Sequence, residues 1–434
     1  MPTATAFIDR TSAGPGERLQ LSVDSPIAYD VEWYRLGWYD GTGGRLMRVD
    51  RALPAYRAER QQPDAGTGLY EAPWPPGLEL DVPFDWPSGM YVAVLRPLSG
   101  IAGYAPFVVR PSTAAAPILF VSAAATWQAY NAWGGKSLYP RSSSGPITDG
   151  ATTAAVQVSF DRPYLDDLGS GFLQRWELQF VRWQERAGHD VEYMTDIDLD
   201  LHPELLDGRR LVVFAGHHEY WSRSMRDALE GVIAAGTNVC FLSANEMYWQ
   251  VRLGPSLRGP ARRMTCYRIP DLDPLMATAP ELTTCQWREP PVSEPEARVI
   301  GEMYGHVVAR PADWVVTNAD HWVYAGTGLR TGDHLRNLVG QEFDMLYPAY
   351  ERPGTVVLAR SPVTAIVGRG GTTVPATHNA TMYVAPSGAT VFAAGTFQWS
   401  WALDGFGVRS YLGVPTPVDL RVAIMTENLF RVLG

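Results

Sequence analysis

The chain has 434 residues, enough for two or three domains of about 100–200 residues each and for a sizeable core. Hydrophobic residues make up 46% of the chain, charged residues 19% and aromatic residues 11%, which excludes an intrinsically disordered protein. The formal net charge is −10 and the basic residues are scattered, which excludes the concentrated positive surface typical of nucleic-acid-binding proteins.

The three cysteines follow no metal-binding spacing and cannot all pair in disulfide bonds, which favours a reducing compartment. Residues 1–10 lack the apolar core of a secretory signal, and no segment approaches the roughly 20 apolar residues of a membrane span. We therefore expect a cytoplasmic protein that interacts with neither membranes nor nucleic acids.

The first hundred residues predict a β-sandwich. Short segments rich in Val, Tyr, Phe and Trp are separated by Gly, Pro, Asp and Ser turns, at 19–23, 30–35, 90–95 and 104–110. No helical pattern precedes residue 114. We predict a domain of immunoglobulin-like architecture over residues 1–112, followed by a Pro-, Ala- and Ser-containing linker at 110–117.

From residue 118 the pattern changes to apolar runs that alternate with helical stripes. The runs are typical of parallel strands buried on both faces, and they lie at 118–122, 211–215 and 238–242. Aromatic residues at steps of four, four and three predict a helix over 172–186, and further helices are predicted at 225–235 and 418–433. We predict a doubly wound, mostly parallel α/β catalytic domain over residues 113–434.

Polar and aromatic side chains follow the predicted parallel strands. The connection after the first strand is about fifty residues long, which is typical of functional or disordered loops, and its aromatic content argues against disorder. It contains the tyrosines Tyr130, Tyr139 and Tyr164. The second and third strands are followed by two polar clusters, at 216–222 and 243–249. Because ligands of doubly wound sheets bind beyond the carboxyl ends of the strands, these residues are candidates for a site.

The residue types in these clusters point to a metal site or to an acid/base pair. In an extended segment His217 and Glu219 point to one side and His218 to the other, so Glu219 would bind the metal and His217 would assist. The other histidines form no helical pair of the kind that binds zinc. Phenol and carboxylate oxygens suit a hard trivalent ion such as iron(III). From composition alone, a structural role is favoured over a ligand role for each tyrosine.

Five motifs in order resemble the large (beta) subunit of N,N-dimethylformamidase. They are YRLGWYDGTGGR (34–45), QAYNAWGGKSLY (128–139), FDRPY (160–164), HHEYWS (217–222) and ANEMYW (244–249). The similarity extends from about residue 30 to the end of the chain. It implies a β-sandwich followed by an α/β domain, in agreement with the strand and helix patterns.

The resemblance implies one iron ion held by two tyrosines and one glutamate. Matched motif by motif, the ligands are Tyr130, Tyr164 and Glu219, with Tyr139 as the alternative second tyrosine. The catalytic residues implied in the same way are His217, Asn245 and Glu342. The ion would be mononuclear and ferric, because two phenolates and one carboxylate balance three positive charges.

The sequence also departs from the family. An active-site lysine of the family has only Arg263 and Arg268 as nearby candidates here, which leaves the substrate open. The family's large subunit is longer and works with a small helical subunit, so association with such a subunit, or with further copies of this chain, is also left open.

The leading hypothesis is an iron-dependent amidohydrolase that cleaves the C–N bond of a small, formamide-like amide by attack of a metal-bound water. Two alternatives use the same fold. One is a carbohydrate- or ligand-binding module without catalysis, and the other is an iron-dependent redox enzyme.

Overall fold

A computed structural model describes residues 3–165, 169, 171–368, 370–408 and 412–434. Its first eight strands are β1 (Thr5–Ile8), β2 (Ser12–Ala13), β3 (Arg18–Asp24), β4 (Tyr29–Leu36), β5 (Gly44–Leu53), β6 (Pro76–Asp81), β7 (Gly89–Pro97) and β8 (Gly103–Val109). They form a three-stranded sheet, ordered β1-β3-β6, and a five-stranded sheet, ordered β2-β8-β7-β4-β5. The four strands predicted in this region are confirmed.

Alternation along β4 explains how the five-stranded sheet faces its core. Tyr29, Val31 and Trp33 are buried, whereas the residues between them are partly exposed, as a period of two requires. The Trp33 ring packs edge-on against Phe107 of β8, with 5.7 Å between ring centroids. The residues of β1, β3 and β6 contribute to the same hydrophobic cluster, so the two sheets share one core.

The remaining strands are β9 (Ile118–Ser122), β10 (Gln157–Ser159), β11 (Val191–Thr195), β12 (Leu211–Gly216), β13 (Tyr220–Ser222), β14 (Asn238–Ser243), β15 (Trp249–Ser256), β16 (Gly259–Thr265), β17 (Met303–Val308), β18 (Ala312–Val315), β19 (His334–Val339), β20 (Glu342–Met345), β21 (Val356–Val367), β22 (Thr372–Val384) and β23 (Thr390–Ala393). The helices are α1 (Ala124–Tyr130), α2 (Leu178–Ala187), α3 (Asp196–Leu201), α4 (Arg223–Ala235), α5 (Ala297–Ile300), α6 (Trp399–Leu403) and α7 (Leu420–Leu433). A π-helical turn, Leu173–Glu177, leads into α2.

A nine-stranded sheet forms the centre of this region, with the order β11-β9-β12-β14-β23-β22-β21-β17-β20. The first five strands are parallel to one another. The pairs from β23 to β20 are antiparallel. The described sheet is therefore half parallel and half antiparallel, which corrects the mostly parallel sheet expected from the sequence. The reason is the long hairpin of β21 and β22. Over residues 359–365 of β21, buried and exposed side chains alternate, so this strand lacks the continuous apolar run of a doubly buried strand.

Helices pack in two groups beside this sheet. Contacts join α1, α3 and α4 on the one hand and α2, α6 and α7 on the other. The three predicted parallel strands are confirmed as β9, β12 and β14. The predicted helices are confirmed as α2 with the turn that precedes it, α4 and α7. The β-rich, multi-sheet architecture is likewise confirmed, whereas the immunoglobulin-like arrangement, the doubly wound connections and the division near residue 112 stay predictions.

A separate four-stranded sheet, ordered β10-β16-β15-β13, lies beside the strand ends. Its β13 and β15 are parallel and set Tyr220 opposite Trp249, which brings Trp249 next to the residue that precedes β13. The three cysteines are buried and unpaired. In the described parts of the chain, no helix is long and apolar enough to cross a membrane.

Candidate active site

The candidate site lies where three neighbouring parallel strands end. Strands β9, β12 and β14 share one register, so the residues that follow them meet at the same edge of the sheet. Helix α1 begins just after β9 and ends at Tyr130, Glu219 lies three residues beyond β12, and Asn245 lies two beyond β14. The structure thus brings together side chains that are far apart in the sequence.

The buried carboxylate of Glu219 is the centre of the cluster. Its Oε2 accepts a hydrogen bond of 2.8 Å from the Tyr130 hydroxyl. The Tyr139 hydroxyl lies 2.7 Å from Oε1 and 2.9 Å from Oε2. Trp249 Nε1 donates to Oε1 at 3.0 Å. Two phenols and one indole therefore converge on one carboxylate that is only 4% exposed.

Backbone geometry holds Glu219 in this position. Gly216, the last residue of β12, has a φ of 118°, where a Cβ atom would lie 2.7 Å from Glu177 Cγ, so only glycine fits this turn. The Glu219 amide then donates to Thr126 Oγ1 of α1 at 3.0 Å. The same helix that carries Tyr130 is therefore tied directly to the carboxylate that Tyr130 contacts.

Tyr139 is fixed by a second layer of contacts. The Tyr220 hydroxyl donates to the Tyr139 oxygen at 2.8 Å, and Arg268 in turn donates to the Tyr220 oxygen. The Arg268 guanidinium lies 4.1 Å from the Tyr139 ring centroid. Arg141 approaches the same ring to 5.1 Å. The phenol ring thus has two guanidinium groups within cation–π distance.

His217 and His218 face opposite environments, as strand alternation predicted. His217 Nε2 lies 3.3 Å from Glu219 Oε2 and 3.8 Å from Glu342 Oε2. His218 is fully buried and packs edge-on against Phe214, with 5.1 Å between ring centroids. Burial lowers the pKa of His217 well below its ordinary value of 6.5, so the imidazole is neutral.

Asn245 connects this histidine to Glu342. Its Nδ2 donates to Glu342 Oε2 at 2.7 Å and lies 3.4 Å from His217 Nε2. Its backbone has a φ of 53°, a left-handed conformation that asparagine adopts more readily than most residues, and its amide donates to Asp344 Oδ1 at 2.8 Å. Burial, reinforced by the nearby charge of Glu219, raises the pKa of Glu342 to about 8. The three residues predicted as catalytic therefore form one connected group beside Glu219.

The structure does not bring Tyr164 into the cluster. Its ring packs edge-on against Trp127 at 6.4 Å, and none of the hydrogen bonds that Glu219 makes within the described residues comes from Tyr164. The sequence left Tyr139 as the alternative, and the hydroxyl of Tyr139 contacts Glu219. Spacing could not decide between them, because both lie in the same long connection.

The sequence predicts an aromatic wall around a small apolar pocket, formed by Trp127, Trp133, Tyr220, Trp221 and Trp249, and assigns Trp249 and Tyr220 no other role. Of that wall, Trp127 instead donates to Glu177, and Trp133 packs against Trp74 at 5.4 Å between ring centroids. The parallel pairing of β13 with β15 selects Trp249, and no local signal in the sequence shows that pairing.

The donor set fits a hard trivalent cation. Within the described residues no three His, Cys, Asp or Glu side chains form a metal-binding group, so an ion here would depend on the phenols. Oxygens bound at about 2.0 Å in adjacent octahedral positions lie about 2.8 Å apart, close to the separations between Glu219 and the two phenols. Burial and then the charge of Glu219 raise the pKa of Tyr130 and Tyr139 well above 10, so forming phenolates requires a strong positive charge.

Fold and cluster together define a β-rich protein with an oxygen-donor site at the ends of parallel strands. The family model described as N,N-dimethylformamidase beta subunit-like, C-terminal, matches residues 30–412. The chain belongs to this family, which confirms the resemblance seen in the sequence.

Two curated relatives carry the name N,N-dimethylformamidase beta subunit. The protein from Alcaligenes sp is 27% identical over 225 residues, which cover 43% of this chain and 29% of the relative. The protein from Paracoccus aminophilus is 33% identical over 90 residues, which cover 20% of this chain and 12% of the relative. The matches thus span less than a third of the length of either relative.

Solved structures are similar over about a quarter of the chain. The superoxide reductase (neelaredoxin) from Ignicoccus hospitalis has 10% sequence identity and a TM-score of 0.15, and the match covers 25% of this chain and 80% of that one. The sporulation control protein Spo0M from Bacillus subtilis has 15% identity and a TM-score of 0.16, over 26% of this chain and 50% of that one.

Proposed function

We propose that this chain hydrolyses the C–N bond of a small amide and that Tyr130, Tyr139 and Glu219 hold an iron ion at the site. The observation that carries the proposal is the convergence of these three oxygen donors beside the connected group of His217, Asn245 and Glu342, in a member of a family named for an amide hydrolase. Tyr139 replaces Tyr164 in this ligand set because its hydroxyl lies 2.7 Å from Glu219.

Iron bound there would supply Lewis acidity, which polarises a carbonyl group and makes water more acidic. The protein groups next to it have complementary roles. His217 Nε2 lies within 4 Å of both carboxylates and is placed to take a proton from the attacking water. Asn245 Nδ2 is a donor that can orient the amide or stabilise the developing oxyanion.

The overall reaction balances without a redox partner. The water oxygen forms a bond to the carbonyl carbon, one proton leaves the water for His217 or Glu342, and the C–N bond breaks as a proton reaches the nitrogen. The products are a carboxylic acid and an amine, and the protonation state of the site is restored. Because no electrons are exchanged, oxygen uptake during turnover would instead support the redox alternative.

The proposal is tested by elemental analysis together with the visible spectrum of the purified protein. Phenolate bound to iron(III) gives a charge-transfer band that a carbohydrate-binding module would lack. We expect Tyr130→Phe and Tyr139→Phe each to weaken iron binding and to reduce the band, because each removes one phenolate donor.

Tyr164→Phe is the matched control, since this ring lies in the same connection but outside the cluster. It should keep both iron and colour. A colourless Tyr164→Phe protein beside a coloured Tyr139→Phe protein would reverse the ligand assignment, and a protein that binds no iron in any form would overturn the iron site.

The relatives' names describe one subunit of an enzyme, and the proposal includes association of this chain with a second subunit or with further copies of itself. Light scattering of the purified chain distinguishes these cases. A mass of one chain would mean that any required partner is a different protein.

A further inference from the structure

Three arginines stand close to the candidate site, and their partners differ. Arg288 forms an ion pair with Glu296. Arg268 donates to the Tyr220 oxygen, although its Nε is buried without a hydrogen bond. Arg141 makes neither a hydrogen bond nor an ion pair with any residue that the structure describes.

The position of Arg141 differs from that of an ordinary surface arginine. Its side chain is exposed, yet the guanidinium lies over the rings of the two phenols, 5.1 Å from the Tyr139 centroid and 5.7 Å from that of Tyr130. Cation–π attraction accounts for this placement and uses only the face of the guanidinium. Among the described residues, none accepts a hydrogen bond from the N–H groups in its plane, which lie beside the ligands proposed for iron.

Electrostatics favour an anion at these N–H groups. Burial raises the pKa of Glu342 to about 8 and the Glu219 charge raises it too, whereas Arg141 is among the groups that lower it, so its field reaches the catalytic group. With iron(III) balanced by two phenolates and one carboxylate, no residue that the structure describes at the site supplies a counter-ion for Arg141. The protein as a whole carries a charge of −10, so the positive charge of Arg141 beside the site is a local feature.

We infer that Arg141 binds a carboxylate of the substrate, and hence that the preferred substrate is a small amide with a carboxylate a few bonds from the scissile bond, such as an N-acyl amino acid. This inference rests on the proposed amide hydrolysis. A carboxylate is the expected anion because the planar guanidinium fork can hold both of its oxygens at once. The carboxylate would fix one end of the substrate while the amide carbonyl reaches the phenol-lined centre.

The test compares two substrates that differ only in this charge, N-formylglycine and N-formylglycinamide. For each protein, the measured quantity is the ratio of kcat/KM for the charged substrate to kcat/KM for the neutral one. We expect the unaltered protein to prefer N-formylglycine. In Arg141→Gln the ratio should fall about tenfold to a hundredfold, mainly through KM, since one charge-assisted contact is lost.

Arg141→Lys keeps the charge but not the fork, and should recover part of the ratio. Arg330→Gln is the control, because Arg330 is also exposed and lies in the loop before β19; it should keep the ratio. A ratio near unity in the unaltered protein, or one that Arg141→Gln leaves unchanged, would overturn the inference while amide hydrolysis itself stands.

If the protein hydrolyses neither compound, the proposed function fails for this substrate class, and calorimetric binding of the same two compounds still tests Arg141. Binding of N-formylglycine that is lost in Arg141→Gln and kept in Arg330→Gln would support the carboxylate site. Equal binding by both variants, or none by the unaltered protein, would refute it.

Discussion

The two halves of the nine-stranded sheet bring residues to the candidate site by different routes. In the parallel half, β9, β12 and β14 run in one direction, so Tyr130, Glu219 and Asn245 meet simply because each follows the end of its strand. The direction of the strands alone makes these residues neighbours. A sequence that shows three buried parallel strands therefore already shows which loops come together.

The antiparallel half contributes Glu342 through long-range pairing. Strand β20 lies at the edge of the sheet, and its Asp344 amide donates to the carbonyl of Gly395, two residues beyond β23, at 3.0 Å. Asp344 Oδ1 in turn accepts from the Asn245 amide. Glu342 thus reaches the site because β20 folds across the end of a parallel strand. Strand direction is therefore enough to bring Tyr130, Glu219 and Asn245 together, whereas Glu342 joins them only through the long-range pairing of β20.

The largest expected effect lies in the parallel half, at the centre of the cluster. Glu219→Gln removes the carboxylate that both phenols contact, and should abolish iron retention while the protein stays folded. Elemental analysis and circular dichroism measure the two properties. Glu230→Gln, on the partly exposed face of α4, is the control and should retain iron. Full iron content in Glu219→Gln would remove Glu219 from the ligand set.

The next effect separates the two faces of the segment after β12. His217→Ala should lower kcat/KM by about 10²–10⁴, because it removes the nitrogen placed for proton transfer. His218→Ala should instead lower the melting temperature, because this side chain packs on Phe214 in the core. Steady-state kinetics of both variants measure the loss of kcat/KM, and thermal unfolding measures the change in melting temperature. Equal catalytic losses in two well-folded proteins would contradict the alternation.

A smaller effect probes the antiparallel half. Glu342→Gln keeps the shape of the side chain but removes a group that can take up and return a proton, and should lower kcat/KM by about tenfold to a hundredfold with iron retained. Glu351→Gln, exposed in the loop that follows β20, is the matched control. If Glu342→Gln loses iron as Glu219→Gln does, iron binding is not confined to residues from the parallel half of the sheet.

The smallest expected effect concerns Glu177, a buried residue that contacts β9 and α1 in the parallel half of the sheet. Glu177 accepts hydrogen bonds from Ser122 at the end of β9 and from Trp127 of α1, and burial raises its pKa to about 8. The unfolded chain ionises near the ordinary value of 4.5, so between about pH 4.5 and 8 only the unfolded state releases this proton. The contribution of Glu177 to the free energy of unfolding therefore falls as pH rises through this interval.

Glu177→Gln mimics the protonated side chain and should gain stability relative to the unaltered protein between pH 5 and 8, by about 1.4 kcal/mol per unit of pKa shift at most. Urea unfolding at several pH values measures the difference. Glu59→Gln, at an exposed position, should show no such trend. A stability difference that is independent of pH would show that Glu177 is ionised in the folded protein.

Much of the chain could be predicted because its strongest patterns are local. Continuous apolar runs indicated β9, β12 and β14, and the aromatic stripe indicated the turn and helix over 173–187. The hairpin of β21 and β22 was not predicted from the sequence. Its β21 exposes Arg360, Pro362 and Thr364 between buried residues, so the sequence shows no continuous apolar run along this strand of twelve residues.

The sequence by itself determined which residues could gather: the order of buried strands, the opposite faces of His217 and His218, and the chemistry of phenol and carboxylate side chains. Only the tertiary structure decided that Tyr139 rather than Tyr164 contacts Glu219, that Trp249 donates to the same carboxylate, and that Glu342 reaches Asn245. The physical reason is that strand direction and side-chain alternation are local properties of the backbone. The path of a long connection and the pairing of an edge strand instead depend on contacts between residues that lie far apart in the sequence.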